Sequence, residues 1–202
     1  MLFISKLFLC FLIFSFAGWV LEVLYGLYEL KKFVNRGFLF GPLCPLYGVG
    51  CLSMALLLSN FENNLILLFI LSMLICSLVE YLASYLLEKI FKIRWWDYSN
   101  FKYNINGRIC LEMMVPFGIL GVLVVKFLFP LVYNALGLVP NIVIYVSSTV
   151  LLILFLVDLS FSLGVAIKFK NTALKVAKDS TEEISKFIKE LLSKKNKKRI
   201  KS

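Results

Sequence analysis

The sequence predicts an all-α membrane protein: a polytopic bundle of about five transmembrane helices, followed by a C-terminal cytoplasmic amphipathic helix. Three observations lead there. Of the 202 residues, 60% are hydrophobic, with a mean hydropathy of +0.88, whereas soluble domains are about 45–50% apolar. The apolar residues gather in runs long enough to cross a bilayer. The basic residues fall in alternate connections between those runs.

The first run, Leu7 to Tyr28, is broken only by Glu22. Ser15-Phe16-Ala17 has the form of a signal-peptidase site, but the run continues well past it, so the reading is an uncleaved first helix. Lys31 to Gly50 carries Gly37, Gly41, Pro42, Pro45, Gly48 and Gly50, which break regular helix at its start. It reads as a loop folded back against the bundle that enters a second helix at about Pro45 to Leu58. Irregular backbone near a membrane persists only where protein or water satisfies it. Ser59 to Asn64 is a short polar turn without a basic residue. A third helix follows from about Leu65 to Phe91.

Arg94 to Glu112 is the longest polar interruption of the apolar portion. It places Trp95, Trp96, Asp97, Tyr98, Asn104, Asn106, Arg108 and Glu112 in one loop. A fourth helix spans roughly Leu111 to Tyr133, with Pro116 and Pro130 as expected kink points. Asn134 to Asn141 turns the chain, and a fifth helix runs from about Ile142 to Ile167. Residues 1–168 thus form a transmembrane domain and 169–202 a basic tail. In the tail, Ser180-Thr181-Glu182-Glu183 has the form of a capping box. Beyond it, Ile184, Phe187, Ile188, Leu191 and Leu192 share one helical face, which suits the inner leaflet or a partner.

Lys31, Lys32 and Arg36 lie in the first connection, and Lys92, Arg94, Lys102 and Arg108 in the third. The second connection has no basic residue. The positive-inside rule therefore places the first and third connections and the tail in the cytoplasm, with the N-terminus outside. The formal net charge of +10 is concentrated in the tail, where it orients the chain and meets anionic lipid rather than nucleic acid. The sequence has no histidine and five cysteines at spacings that match no zinc or Cys-x-x-Cys pattern. No metal and no cofactor is expected.

An ionisable side chain in a bilayer costs about 2.5–3.5 kcal/mol or more, so it faces a partner or water. Glu22, Glu80 and Asp158 are the deep cases. Glu22 lies nine residues before Lys31, about 13 Å of helix. Asp158 and Glu80 stand at similar depths before Lys168 and Lys89, and Glu112 opens the fourth helix from the same side. Glu80, Ser84 and Glu88 share a face, and Arg36 and Arg108 are placed to pair with these acids. The expected arrangement is a polar cavity open to the cytoplasm and walled by helices one, three, four and five. Its candidate substrate-binding residues are Glu22, Asn35, Arg36, Glu80, Glu88, Trp96, Asp97, Arg108, Glu112 and Asp158. Burial raises a carboxylate's pKa and a neighbouring arginine lowers it, so which acid titrates stays open at this stage.

Several blocks also resemble a known family. They are Phe16-Ala17-Gly18-Trp19 with Glu22, Asn35-Arg36-Gly37-Phe38-Leu39 with Gly41-Pro42, and Cys44-Pro45-Leu46-Tyr47-Gly48. Later come Glu80-Tyr81, Glu88-Lys89, Trp95-Trp96-Asp97-Tyr98-Ser99 and Asn106-Gly107-Arg108-Ile109-Cys110-Leu111. Together they resemble the bacterial membrane proteins called ABC-transporter type IV, or ABC transporter permeases, over roughly Phe11 to Asp158. The resemblance implies a permease role. The sequence contains no G-x-x-x-x-G-K-[ST] loop, so a separate cytoplasmic ATPase would dock on the cytoplasmic loops. Five helices are few for a permease, which implies a homodimer. Two other readings stay open. In one, the protein is a membrane-embedded enzyme on a polar or lipid-linked substrate, with Glu22, Glu80, Glu112 or Asp158 as acid or base. In the other, it is a structural or regulatory scaffold whose charges only pin helices and loops together. No Ser-His, Cys-His or metal constellation supports the enzyme reading.

Overall fold

The computed structural model describes residues 1–33, 35, 37–92 and 94–199; the side chains of residue 30 and of residues 173–199 lie outside the description. The chain is an all-α membrane helix bundle, as the apolar runs require. Its elements are α1 (Leu2–Leu30), α2 (Pro45–Leu58), α3 (Leu65–Phe91), a two-stranded hairpin β1 (Asn104–Ile105) and β2 (Ile109–Cys110), α4 (Leu111–Leu123), α5 (Phe129–Gly137) and α6 (Asn141–Arg199). Among the described residues, four stretches are long and apolar enough to span a bilayer: Leu2–Glu29, Leu65–Phe91, Leu111–Gly137 and Asn141–Thr172. Many apolar side chains on them are exposed, as suits helices surrounded by lipid.

The fifth expected span is different in kind. α2 has 14 residues, about 21 Å of helix, against a hydrocarbon core of about 30 Å. Its start is set partway along α1, where the Cys44 N–H donates to the Ser15 carbonyl oxygen at 2.9 Å. Pro45 then occupies the first turn, where its missing N–H costs nothing. The bounds of α2 and those of α3 agree with the sequence reading.

The helices meet through small residues, the means of close approach between membrane helices. A Cβ at Gly48 of α2 would collide with Phe11 and Ser15 of α1, and one at Gly18 of α1 with Tyr47. A Cβ at Gly121 of α4 would strike Ser72 and Met54, and one at Gly118 would strike Phe69 and Met73. Cys10, Phe14, Cys51, Met54, Leu58, Leu68, Val124 and Val125 fill the core between α1, α2, α3 and the α4–α5 span.

That last span changes its winding just before its second proline. Val124–Leu128 is a π turn, in which the Phe129 N–H reaches back five residues to the Val124 carbonyl oxygen. The Pro130 ring would crowd the carbonyl one turn before it, and the widened turn relieves that clash. Pro116 lies inside α4.

The chain divides into two compact units, Met1–Ser162 and Leu163–Ser202. The second continues helically to Arg199. Ser180, expected to begin a separate tail helix, is therefore inside α6. The preceding Ala173-Leu174-Lys175-Val176-Ala177-Lys178 is rich in helix formers and carries the helix through. The side chains of the expected amphipathic face lie outside the described residues.

Gly48→Val forces a branched side chain into the α1 contact and should cost about 1–3 kcal/mol or more. This should appear as a lowered melting temperature of the detergent-extracted protein. Gly164→Ala, where an added Cβ meets nothing within 4 Å, should leave the melting temperature unchanged.

Candidate functional site

Two irregular segments, residues 31–44 and 92–110, hold most of the polar chemistry. The second begins where α3 ends on Lys92, a left-handed residue (φ 60°) whose N–H closes on the Glu88 carbonyl oxygen. The segment turns through the β1–β2 hairpin at Asn106 and Gly107, with φ of 54° and 66°. Two successive positive φ angles fit the type I′ hairpin turn that Asn-Gly favours. A Cβ at Gly107 would also strike Ser99, Asp97 and Arg94. Around this turn the Tyr98 N–H donates to the Gly107 carbonyl oxygen at 2.8 Å, and Trp96 Nε1 donates to that of Arg108 at 3.0 Å. Asp97 accepts from the Ser99 hydroxyl at 2.5 Å and N–H at 3.0 Å, and Arg94 Nη1 stands 3.2 Å away. These donors, Ser99 foremost, hold the Asp97 carboxyl below its ordinary value.

The folded segment is then fastened to the last turns of α3. Arg108, whose side chain is only 12% exposed, places Nη2 2.7 Å from Glu88 Oε2 and donates from Nη1 to Ser84 Oγ at 3.2 Å. Its guanidinium lies over the rings of Tyr81 and Tyr85, 5.7 and 5.5 Å from their centroids. Arg94 Nε approaches the same Glu88 oxygen at 3.2 Å. Asn106 Nδ2 donates to the Tyr81 hydroxyl at 2.9 Å, and the Tyr98 hydroxyl donates to Glu80 Oε1 at 3.1 Å. Burial and the Glu80 carboxylate push the Tyr98 phenol up. Beside this junction a shallow depression of about 290 Å³ is lined by Tyr85, Glu88, Lys89, Lys92 and Arg108.

The first segment is organised by two side chains. Asn35 Oδ1 accepts from Trp19 Nε1 at 3.0 Å and from the Gly37 N–H at 3.1 Å. Asn35 Nδ2 donates to the carbonyl oxygens of Leu39 and Phe40. Asp158 of α6 receives two backbone groups, the Phe40 N–H on Oδ1 at 3.1 Å and the Gly41 N–H on Oδ2 at 3.0 Å. Ser162, one turn later on α6, donates to Asp158 and accepts from the Phe40 N–H, both at 3.2 Å. A Cβ at Gly41 would press on Asp158, so the glycine lets the carboxylate reach the backbone. The two segments meet over Phe91, which is 2% exposed. Its ring centroid lies 5.7 Å from that of Phe38 and 5.6 Å from that of Trp95.

Two further acids are each held by a tyrosine, Glu22 by Tyr47 and Glu80 by Tyr98. The Tyr47 hydroxyl donates to Glu22 Oε1 at 2.7 Å, as Tyr98 does to Glu80. Glu80 is 6% exposed, and its Oε2 is buried with no hydrogen-bond partner.

The structure thus joins Glu88, Asp97, Trp96 and Arg108 at the second segment and Asn35 and Asp158 at the first, and it pairs Glu22 with Tyr47 and Glu80 with Tyr98. Glu112 is exposed in the first turn of α4, where a negative charge suits the helix dipole. Arg36 lies outside the described residues. Among the described residues, no three metal-binding side chains come together. Tyr47, Tyr98 and Ser162 escaped the sequence reading as partners. Ser162 had a local signal in its i+4 spacing from Asp158, and Asn106-Gly107 signalled the hairpin turn.

A family model described as "Putative ABC-transporter type IV" matches residues 9–163. The chain belongs to this family. The ABC-transporter type IV match takes in every candidate site residue and stops before the basic tail. No curated protein and no solved structure matches the chain. As a member of this family with four long apolar helices, the chain is a multi-pass membrane protein with the character of a transporter subunit.

Arg108 fastens the 92–110 segment of this family member by several contacts at once. Arg108→Ala should raise the rate of chymotryptic cleavage at Trp95, Trp96 or Tyr98 by about tenfold or more, the scale of losing one charged hydrogen bond. Arg108→Lys keeps the charge but loses the forked geometry and should fall between the two. Limited proteolysis of the protein in detergent checks both.

Proposed function

We propose that the chain is the membrane-embedded, permease-like subunit of a transporter in the bacterial cytoplasmic membrane. A separate cytoplasmic ATPase would act on it through residues 31–44 and 92–110. The observation that carries this reading is mechanical. Both irregular segments are bonded to long apolar helices, the first to α1 and α6 and the second to α3, and they touch over Phe91. A partner that moved either segment would therefore move the helices.

Their basic residues support a cytoplasmic position for both segments, with the N-terminus outside and the tail inside. A polar or ionic substrate would meet Glu22, Asn35, Arg36, Glu80, Glu88, Trp96, Asp97, Arg108, Glu112 or Asp158 from that side. The sequence carries no phosphate-binding loop, in keeping with hydrolysis on another chain. Four long helices and one short one make a small permease, which favours a pair of copies around the substrate path.

A scaffold reading has its own support. Asp158 and Glu88 are fully occupied in holding backbone and arginine, as purely structural acids would be. Purification of the tagged protein from its native membrane in gentle detergent, with mass spectrometry of what accompanies it, tests the permease reading. A stoichiometric ATPase should be retained, and deletion of residues 94–112 should release it. A protein that emerges alone or only with itself overturns the coupling. If the Glu22→Ala, Glu80→Ala and Asp158→Ala variants all fold and keep the cellular phenotype, the scaffold reading stands instead.

A further inference from the structure

The end of α3 carries more positive charge than the fastening of residues 92–110 uses. Glu88 is taken by both arginines: its Oε2 stands 2.7 Å from Arg108 Nη2 and 3.2 Å from Arg94 Nε. Asp97 meets Arg94 as well. Lys89 and Lys92 are exposed, and among the described residues neither has a carboxylate partner. Both line the depression of about 290 Å³, together with Tyr85, Glu88 and Arg108.

The Tyr85 ring gathers two of these cations. Lys89 Nζ stands 5.7 Å from its centroid, and the Arg108 guanidinium stands 5.5 Å from the same point. Like charges brought to one ring repel, and an anion shared between them stabilises both. Ammonium and guanidinium groups are the usual partners of phosphate oxygens. The C-terminal end of α3 opposes an anion with only about half an elementary charge, less than the two lysines supply.

An apolar track leads to the depression. Leu78, Leu82, Tyr85 and Lys89 follow one another along one face of α3, and all four are exposed. Leu78 lies 11 residues before Lys89, about 16 Å of helix, or about half of a hydrocarbon core of about 30 Å. The track thus has the length of one leaflet, and it reaches basic residues where the apolar span Leu65–Phe91 ends. A free phosphate would use the cations alone, whereas an anionic phospholipid uses the cations and the track.

We propose that this depression binds the phosphate of an anionic phospholipid through Lys89, Lys92 and Arg108, with an acyl chain laid along Leu82 and Leu78. Bound there, the lipid ties the 92–110 segment to α3 a second time. The inference does not rest on the permease reading: it requires no ATPase and no transported substrate, and it holds whichever leaflet this end of α3 meets.

The delipidated full chain in detergent is titrated with phosphatidylglycerol and with phosphatidylcholine of the same acyl chains, and native mass spectrometry reads the first bound lipid. Phosphatidylglycerol should bind about tenfold or more tightly. Lys89→Gln/Lys92→Gln should remove that preference and Lys89→Arg/Lys92→Arg should retain it. Lys31→Gln/Lys32→Gln, which removes the same charge from another exposed pair, should leave it unchanged. An unaltered melting temperature verifies that each variant folds, and the wild-type comparison of the two lipids stands without them. Equal binding of both lipids overturns the proposal. So does a preference that survives Lys89→Gln/Lys92→Gln, or one that Lys31→Gln/Lys32→Gln abolishes equally. If inorganic phosphate raises the melting temperature as much as phosphatidylglycerol does, the cations serve a free phosphate and the lipid assignment fails.

Discussion

Backbone that is neither helix nor closed sheet survives at membrane depth only when every N–H and C=O finds a partner. The arrangement of this protein depends on how Asn35 and residues 37–44 find such partners. Asn35 satisfies one N–H and two carbonyl oxygens with a single amide. Asp158 satisfies two consecutive N–H groups with one carboxylate, and Ser15 accepts the last one before α2. Carboxylate bonds to backbone N–H groups are the stronger, charge-assisted kind. Together with the Cys44 N–H bond to Ser15 they lead the chain into α2 partway along α1.

The same acids set what the molecule can transmit. Glu88 gathers two arginines, Glu80 receives the Tyr98 hydroxyl, and Phe91 is clasped by a ring from each irregular segment. The end of α3 is therefore the common anchor of both segments. A permease subunit needs such a rigid junction between its partner-facing surface and its helices. A scaffold would need it equally, which is why Glu80, with its buried and unbonded Oε2, separates the two readings better than the fully bonded acids do.

Much of this was legible in the sequence. The apolar runs marked α2 and α3 with their observed ends, and the deep acids stood out because a charge inside such a run demands a partner. Their partners were harder to read. Phe40 and Asp158 are more than a hundred residues apart, and a bond from a backbone N–H leaves no trace in the residue that gives it. Tyr47 and Tyr98 resemble the aromatic residues that populate any membrane interface. The hairpin strands are two residues each, too short to show a period of two, so only Asn106-Gly107 announced them. The unbroken α6 went against a local capping signal because the helix formers before Ser180 left no place for a new start.

The bond between Asp158 and the backbone at Phe40 and Gly41 also orders events during synthesis. A chain emerges from its N-terminus, so residues 35–44 are made long before the carboxylate that completes them. Until α6 arrives, the Phe40 and Gly41 N–H groups must be served by water or by the insertion machinery. The final bonding of this segment is therefore a late step, reached only when the last membrane helix supplies Asp158. A chain that stalls before Asp158 would leave the Phe40 and Gly41 N–H groups without the acceptor that the finished fold gives them.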